Sequence, residues 1–371
     1  MVVGDRGPEA GSAFASRPML VFWETTRACL LACSHCRATA QRHPLPGELD
    51  TKEGLRLLEQ ICALGQPAPV VIFTGGDLLL RPDIYDLITR AHQLGLHVAA
   101  APAVTPLLNR TALERLQAAG VAAISLSLDA PLAVHDQIRG VPGTFERTLE
   151  AARLAQEIGL RVQINTVVMA QTVQTLADVA ALLLRERIPI WEVFFLIATG
   201  RAGKNDMLSA QDSEDVCQFL LDASRYDLVV RTVEAPFVRR ILTERRQGTQ
   251  GGALHRHLSS RLEQLSGLAP HDVRIGTKGT LDGDGILFVA HDGTVSPGGF
   301  LPVPLGNVRR DQLSDIYRHH PLLEAIRHRC FQDPCGTCVH RFICGGSRAR
   351  AYSMTGDPLA ADPACPLASP A

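Results

Sequence analysis

From Met19 to Leu196, short apolar runs alternate with longer segments whose apolar residues recur at helical spacing. The runs MLVFWE, PVVIFTGG, HVAAAP, AAISLSLD, RVQINTVVM and WEVFFL are nearly continuous in hydrophobicity, as strands covered on both faces must be. Residues 51–63, 83–94, 111–119, 143–158 and 172–187 carry the helical pattern between them. Six β/α units predict parallel strands joined by crossover helices, too few to close an eight-unit barrel. The expected fold class is therefore α/β, a partial (β/α)6 TIM-like barrel with its chemistry at the C-terminal ends of the strands.

Beyond Leu196 the pattern changes. The turn ATGRAG precedes an expected helix over 209–225, a strand over 228–233 and a polar stretch over 248–258. GILFVA and GTVSPGG, separated by a turn at His291-Asp292-Gly293, read as a hairpin. The expected organisation is a loose tail (1–17), a barrel (18–232), a linker or insertion (233–284) and a small C-terminal domain (285–371). The tail has no apolar run, so it is neither a signal peptide nor a membrane helix. There is no internal repeat.

Charge narrows the partners. Thirty-seven basic and 38 acidic residues leave a net charge of -1, which argues against nucleic acid or an anionic membrane as partner. Ten cysteines without an export signal point to metal or thiol chemistry in a reducing cytoplasm rather than to a disulfide framework.

The cysteines are clustered. In TTRACLLACSHCRATA, Cys29, Cys33 and Cys36 fall just after the first strand, with no fourth cysteine nearby. Three thiolates can hold three corners of a [4Fe–4S] cube and leave one iron open; three packed thiols, or a zinc site completed by His35, are the alternatives. Cys335, Cys338, Cys344 and Cys365 form a second set, which can hold either zinc or another cluster. Cys330 is either a substitute ligand or a packed thiol, and Cys62 and Cys217 read as core residues.

The spacing of the first three cysteines, with the turn TGGD at the end of the second strand, resembles the radical S-adenosylmethionine (SAM) superfamily. The resemblance implies a [4Fe–4S] cluster held by three cysteines and by SAM, whose amino and carboxylate groups chelate the open iron. It implies that His35 lies near the adenine and that Gly75 and Gly76 let backbone approach the ligand. Asp77, where most relatives carry Glu, would accept a hydrogen bond from the SAM ammonium. Ser127 and Arg139 would hold its carboxylate, and Asn165 would contact the ribose or amino acid. The C-terminal set is similar to SPASM and Twitch domains, which implies one auxiliary [4Fe–4S] cluster. Gly298 and Ser347 stand where relatives carry the cysteines of another.

CSHCRA, GNVR and CGGSRARAYSMTGDPLAADPAC look most like the branch of haem-pathway enzymes. The implied activity is reductive SAM cleavage to a 5′-deoxyadenosyl radical that abstracts hydrogen from a small molecule, leading to oxidation or decarboxylation, with a tetrapyrrole as one candidate. An external electron donor such as flavodoxin or ferredoxin is implied as partner. The competing readings are a peptide-modifying maturase and a non-catalytic iron–sulfur or zinc-binding interaction protein. Glu24 and Glu234 are both near strand ends, and the catalytic base is left unassigned.

Overall fold

The computed structural model describes residues 12–368. In chain order it contains β1 (Leu20–Glu24), α1 (Thr51–Cys62), β2 (Val70–Thr74), α2 (Ile84–Gln93), β3 (His97–Ala100), α3 (Arg110–Ala119), β4 (Val121–Ser127), α4 (Leu132–Arg139), α5 (Thr144–Glu157), β5 (Arg161–Val168), α6 (Leu176–Arg185) and β6 (Ile190–Phe195). Next come α7 (Ala210–Ala223), β7 (Val229–Val233), α8 (Val238–Arg245), α9 (Ala253–Ser266), β8 (Leu281–Asp282), β9 (Gly285–Val289), β10 (Thr294–Ser296), β11 (Gly306–Asn307), α10 (Leu313–His319), α11 (Pro321–Arg327) and α12 (Arg348–Thr355). Residues 1–11 of the expected tail lie outside the described residues. Residues 12–17 are held: Tyr317 Oη donates to Phe14 O (2.7 Å) and Arg318 Nε to Ser16 O (3.0 Å).

β1 to β7 are paired in order and in parallel, as the six-unit reading requires, and β7 adds a seventh strand beside β6. At the other edge, β9 pairs in parallel with β1, Leu20 facing Ile286 and Trp23 facing Val289. The hairpin read at Gly285 is present, since β9 and β10 are antiparallel. One of its strands nevertheless belongs to the core sheet, so the boundary expected at 285 falls inside that sheet. The 248–258 stretch, read as polar, enters α9, which buries Leu258 and Leu262 against α6 and α7. Its apolar positions are too sparse to stand out along the chain.

Local rules explain how helices seat on this sheet. Asp50 and Glu53 form a reciprocal capping box at the start of α1. Gly54 on that helix leaves room for the Trp23 ring, which is fully buried. The core is a continuous apolar layer between the strands and the outer helices. No helix among the described residues is long and apolar enough to cross a membrane.

Candidate functional site

The cysteine loop leaves β1 and is clamped from three sides. From the β2 turn, Gly76 N–H donates to Thr26 O (2.8 Å) and Asp77 N–H to Ala28 O (2.7 Å). Ser34 N–H donates to Ile138 O (2.9 Å) at the end of α4. Arg201 N–H, in the loop after β6, donates to Cys36 O (3.0 Å). Cys29, Cys33 and Cys36 all open onto one cavity of about 240 Å³ at the C-terminal ends of the strands.

Six of the seven expected SAM contacts line this cavity: His35, Gly75, Gly76, Ser127, Arg139 and Asn165. Ser127 and Asn165 share a face because they are register partners on β4 and β5. Asp77 does not line it. Its carboxylate accepts from Leu79 N–H (3.1 Å) and Thr105 Oγ1–H (2.8 Å), capping a short helical turn, and burial raises its pKa. A side chain as short as Asp is used up by its own turn. The glycines also have a packing role. A Cβ on Gly75 would sit 2.6 Å from Thr26 O, and one on Gly76 would overlap Ala28 O. Their smallness brings the β2 turn against the cysteine loop.

Arg139 is buried and its Nη2 lies 2.6 Å from Asp129 Oδ2, while Nη1 is 3.7 Å from Cys33 Sγ. Arg139 Nε and Asp129 Oδ2 have no hydrogen-bond partner among the described residues. An unpaired buried guanidinium N–H beside a cavity suits an incoming carboxylate. His35 Nδ1 is likewise buried and unpaired, and burial lowers its pKa to about 4, so the ring is neutral at pH 7.

The thiols fit a cationic iron centre. Burial pushes Cys29 up to about 11, so the protein alone does not hold it as a thiolate. At Cys36 burial also raises the pKa, but the Ala40 N–H and Arg201 outweigh it and leave the thiol below its usual value. In the C-terminal set burial pushes Cys344 up to about 12, with Cys335 and Cys365 close by. Iron supplies the positive charge that such thiolates need. Cys330 is exposed.

Neither acid considered as a base faces the cavity. Glu24 is held at about 2: burial raises it, but Arg37 (Nη2–Oε1 2.7 Å) and His291 (Nδ1–Oε2 3.0 Å) outweigh the burial. Because the folded pKa is depressed, this stabilisation is present at neutral pH and disappears as pH falls from about 5 to about 2. Glu24→Gln is expected to cost on the order of 3 kcal/mol at pH 7. Urea unfolding of the apoprotein checks this, and the gap to wild type must narrow on acidification.

Glu234, just after β7, pairs instead with Asp282 of β8 and accepts from Ser347 Oγ. Burial raises both acids, Asp282 well above its usual value with Glu234 adding to it, so the pair shares a proton. Gly298 has no room for a Cβ, which would overlap Asp282 Oδ1. The two positions at which relatives were expected to carry cysteines therefore surround a carboxyl pair. Around it, Arg350 joins Asp362 (3.0 Å) and Glu234 O (2.6 Å), which ties α12 to β7.

Residues 23–183 match the family described as the radical SAM superfamily. An AdoMet-dependent heme synthase of Nitratidesulfovibrio vulgaris is 34% identical over 369 residues, 98% of this chain and 95% of that protein. The chain belongs to the radical SAM superfamily. Its cofactors are those of the SPASM-type members, a [4Fe–4S] cluster with SAM and an auxiliary cluster. A PqqA peptide cyclase of Granulibacter bethesdensis is 27% identical over 360 residues, 95% of this chain and 88% of that protein. Among solved structures, Streptococcus suis SuiB bound to precursor peptide SuiA superposes with a TM-score of 0.69 at 18% identity, over 95% of this chain and 76% of SuiB. That likeness extends the radical SAM fold to the C-terminal segment.

The sequence reading missed Arg201, Phe194 and Phe300, all of which line the cavity. Gly200-Arg201 in the turn that follows the sixth strand was the available signal.

Proposed function

We propose that this chain is a cytoplasmic radical SAM oxidoreductase or decarboxylase acting on a carboxylated tetrapyrrole of the haem pathway. The observation that carries the reading is one cavity in which three cysteine thiols meet two aromatic rings, Phe194 and Phe300 (centroids 6.1 Å apart), and arginine side chains. The relation to a heme synthase supports the substrate class. Cys29, Cys33 and Cys36 hold the first cluster, and Cys335, Cys338, Cys344 and Cys365 the auxiliary one. When bound, cluster and SAM supply a radical that takes hydrogen from the substrate, an external flavodoxin or ferredoxin providing the electron.

The chain's own residues do the positioning. Arg139 presents its free Nε–H to the SAM carboxylate beside Ser127. Asn165 faces the same space, its Oδ1 already accepting from Gln163 Nε2 (2.8 Å). Neutral His35 offers a flat, uncharged ring to the adenine. The apolar wall of Phe194, Phe195 and Phe300 excludes water from the reacting carbon.

The test is anaerobic reconstitution followed by SAM and dithionite, with 5′-deoxyadenosine as product, and then addition of a propionate-bearing porphyrin with mass spectrometry for loss of CO2. Absence of 5′-deoxyadenosine favours a zinc-binding or carrier protein. Turnover of a peptide but not a porphyrin favours the second reading, a peptide maturase, which the relation to a peptide cyclase supports. For the auxiliary set, Cys338→Ala is expected to reduce bound iron from about eight to about four per chain. Iron analysis and electron paramagnetic resonance check this, the SAM-responsive signal remaining.

A further inference from the structure

Three arginines line the cavity: Arg37, Arg139 and Arg201. Two are compensated. Arg37 pairs with Glu24 and lies over the Phe288 ring at 4.7 Å, and Arg139 pairs with Asp129. Arg201 forms no ion pair with any described carboxylate. The Cys36 thiol lines the same cavity.

An exposed arginine without an acid is ordinary on a surface. This one is held in place. Gly200 before it has φ +63°, in the left-handed region, and a Cβ there would overlap the carbonyl oxygens of Cys36 and Arg37. Arg201 N–H donates to Cys36 O (3.0 Å), and from the other side Ser353 Oγ on α12 donates to Ala198 O (2.7 Å). The loop is thus pinned between the cysteine loop and the C-terminal helix. Arg201 thereby lines the cavity with the three cysteines, and Phe194 and Phe300 wall it too.

We propose that Arg201 receives a carboxylate of the substrate and so selects, as the carbon that loses hydrogen, one within the carboxylated side chain anchored next to Cys36. The proposal rests on the tetrapyrrole reading above and adds to it the residue and the side chain. A guanidinium suits this task because it binds a carboxylate bidentately. SAM also carries a carboxylate, but that group is assigned above to Arg139 and Ser127, on α4 and β4.

The test uses reconstituted holoenzyme, wild type, Arg201→Gln and Arg201→Lys, titrated with a porphyrin bearing four propionates and with its tetramethyl ester, followed by the shift of the Soret band. SAM affinity and the midpoint potential of the first cluster are measured in parallel. The expected result is a roughly tenfold loss of affinity for the tetra-acid in Arg201→Gln, partial recovery in Arg201→Lys, and a smaller change in SAM affinity. The ester is expected to bind wild type about as weakly as the acid binds Arg201→Gln. Unchanged affinity of Arg201→Gln for the acid, with a shifted potential, overturns the proposal and leaves Arg201 as a residue of the cluster alone. An equal loss for SAM and porphyrin also overturns it. If wild type binds neither porphyrin, the tetrapyrrole reading itself fails, and the proposal with it.

Discussion

Cys33→Ala is expected to reduce 5′-deoxyadenosine formation by on the order of a thousandfold or more, to the background of the assay. Cys33 is buried in the wall of the cavity, between Cys29 and Cys36 in sequence, and its sulfur is the one facing Arg139 Nη1 at 3.7 Å. Two thiolates are too few to hold a cube with one open iron, and alanine leaves the guanidinium facing an empty position in a low-dielectric pocket. Cys217→Ala is the matching control. That thiol is fully buried between α7 and the sheet, far above its usual pKa through burial, and packs as a small apolar group. Its loss is expected to cost about 1 kcal/mol of stability and to leave SAM cleavage in place. Chromatography of 5′-deoxyadenosine from both variants, prepared without oxygen, decides the matter. Retained cleavage in Cys33→Ala would falsify the assignment of the first cluster.

Asp129→Ala is expected to be the most destabilising single change in the barrel, by about 3–5 kcal/mol. The side chain has no solvent exposure, its Oδ1 accepts from Val167 N–H (3.0 Å), and its Oδ2 is 2.6 Å from Arg139 Nη2. Burial raises its pKa, yet the Arg139 guanidinium and the Val167 N–H hold it below the usual range. Alanine leaves Arg139 as an uncompensated buried charge and removes the acceptor that joins β4 to β5. Chemical denaturation of the apoprotein measures the loss. Asp129→Asn keeps the shape and the Val167 bond, so its penalty should be smaller, while SAM affinity falls in both because Arg139 is no longer aimed. A stability equal to wild type in Asp129→Ala would mean that Arg139 finds water or another acid, and that the pair does not organise the site.

The strand-by-strand order of the barrel was legible because buried parallel strands and amphipathic helices write different periods into the chain. The cysteine loop was legible because thiol spacing is itself local. α4 was not read. It is eight residues long, has no side-chain cap, and starts after Pro131 with a positive φ at Leu132, so none of the usual start signals marks it. Its omission hid why Arg139 faces Cys33: the guanidinium sits in the last turn of a helix that ends in Gly140, φ +70°, packed against Ala32.

What the sequence determined by itself is the chemistry available: which residues can hold iron, and that they follow strands whose ends converge. The tertiary structure decided which of those side chains meet. It turned Asp77 into its own helical turn, carried Arg201 across 165 residues to the Cys36 loop, placed β9 beside β1, and filled the position of two absent cysteines with Glu234 and Asp282. Periodicity and spacing are set by neighbours in the chain, whereas these contacts depend on register between distant segments, and register is chosen only when all of the apolar surface is buried at once.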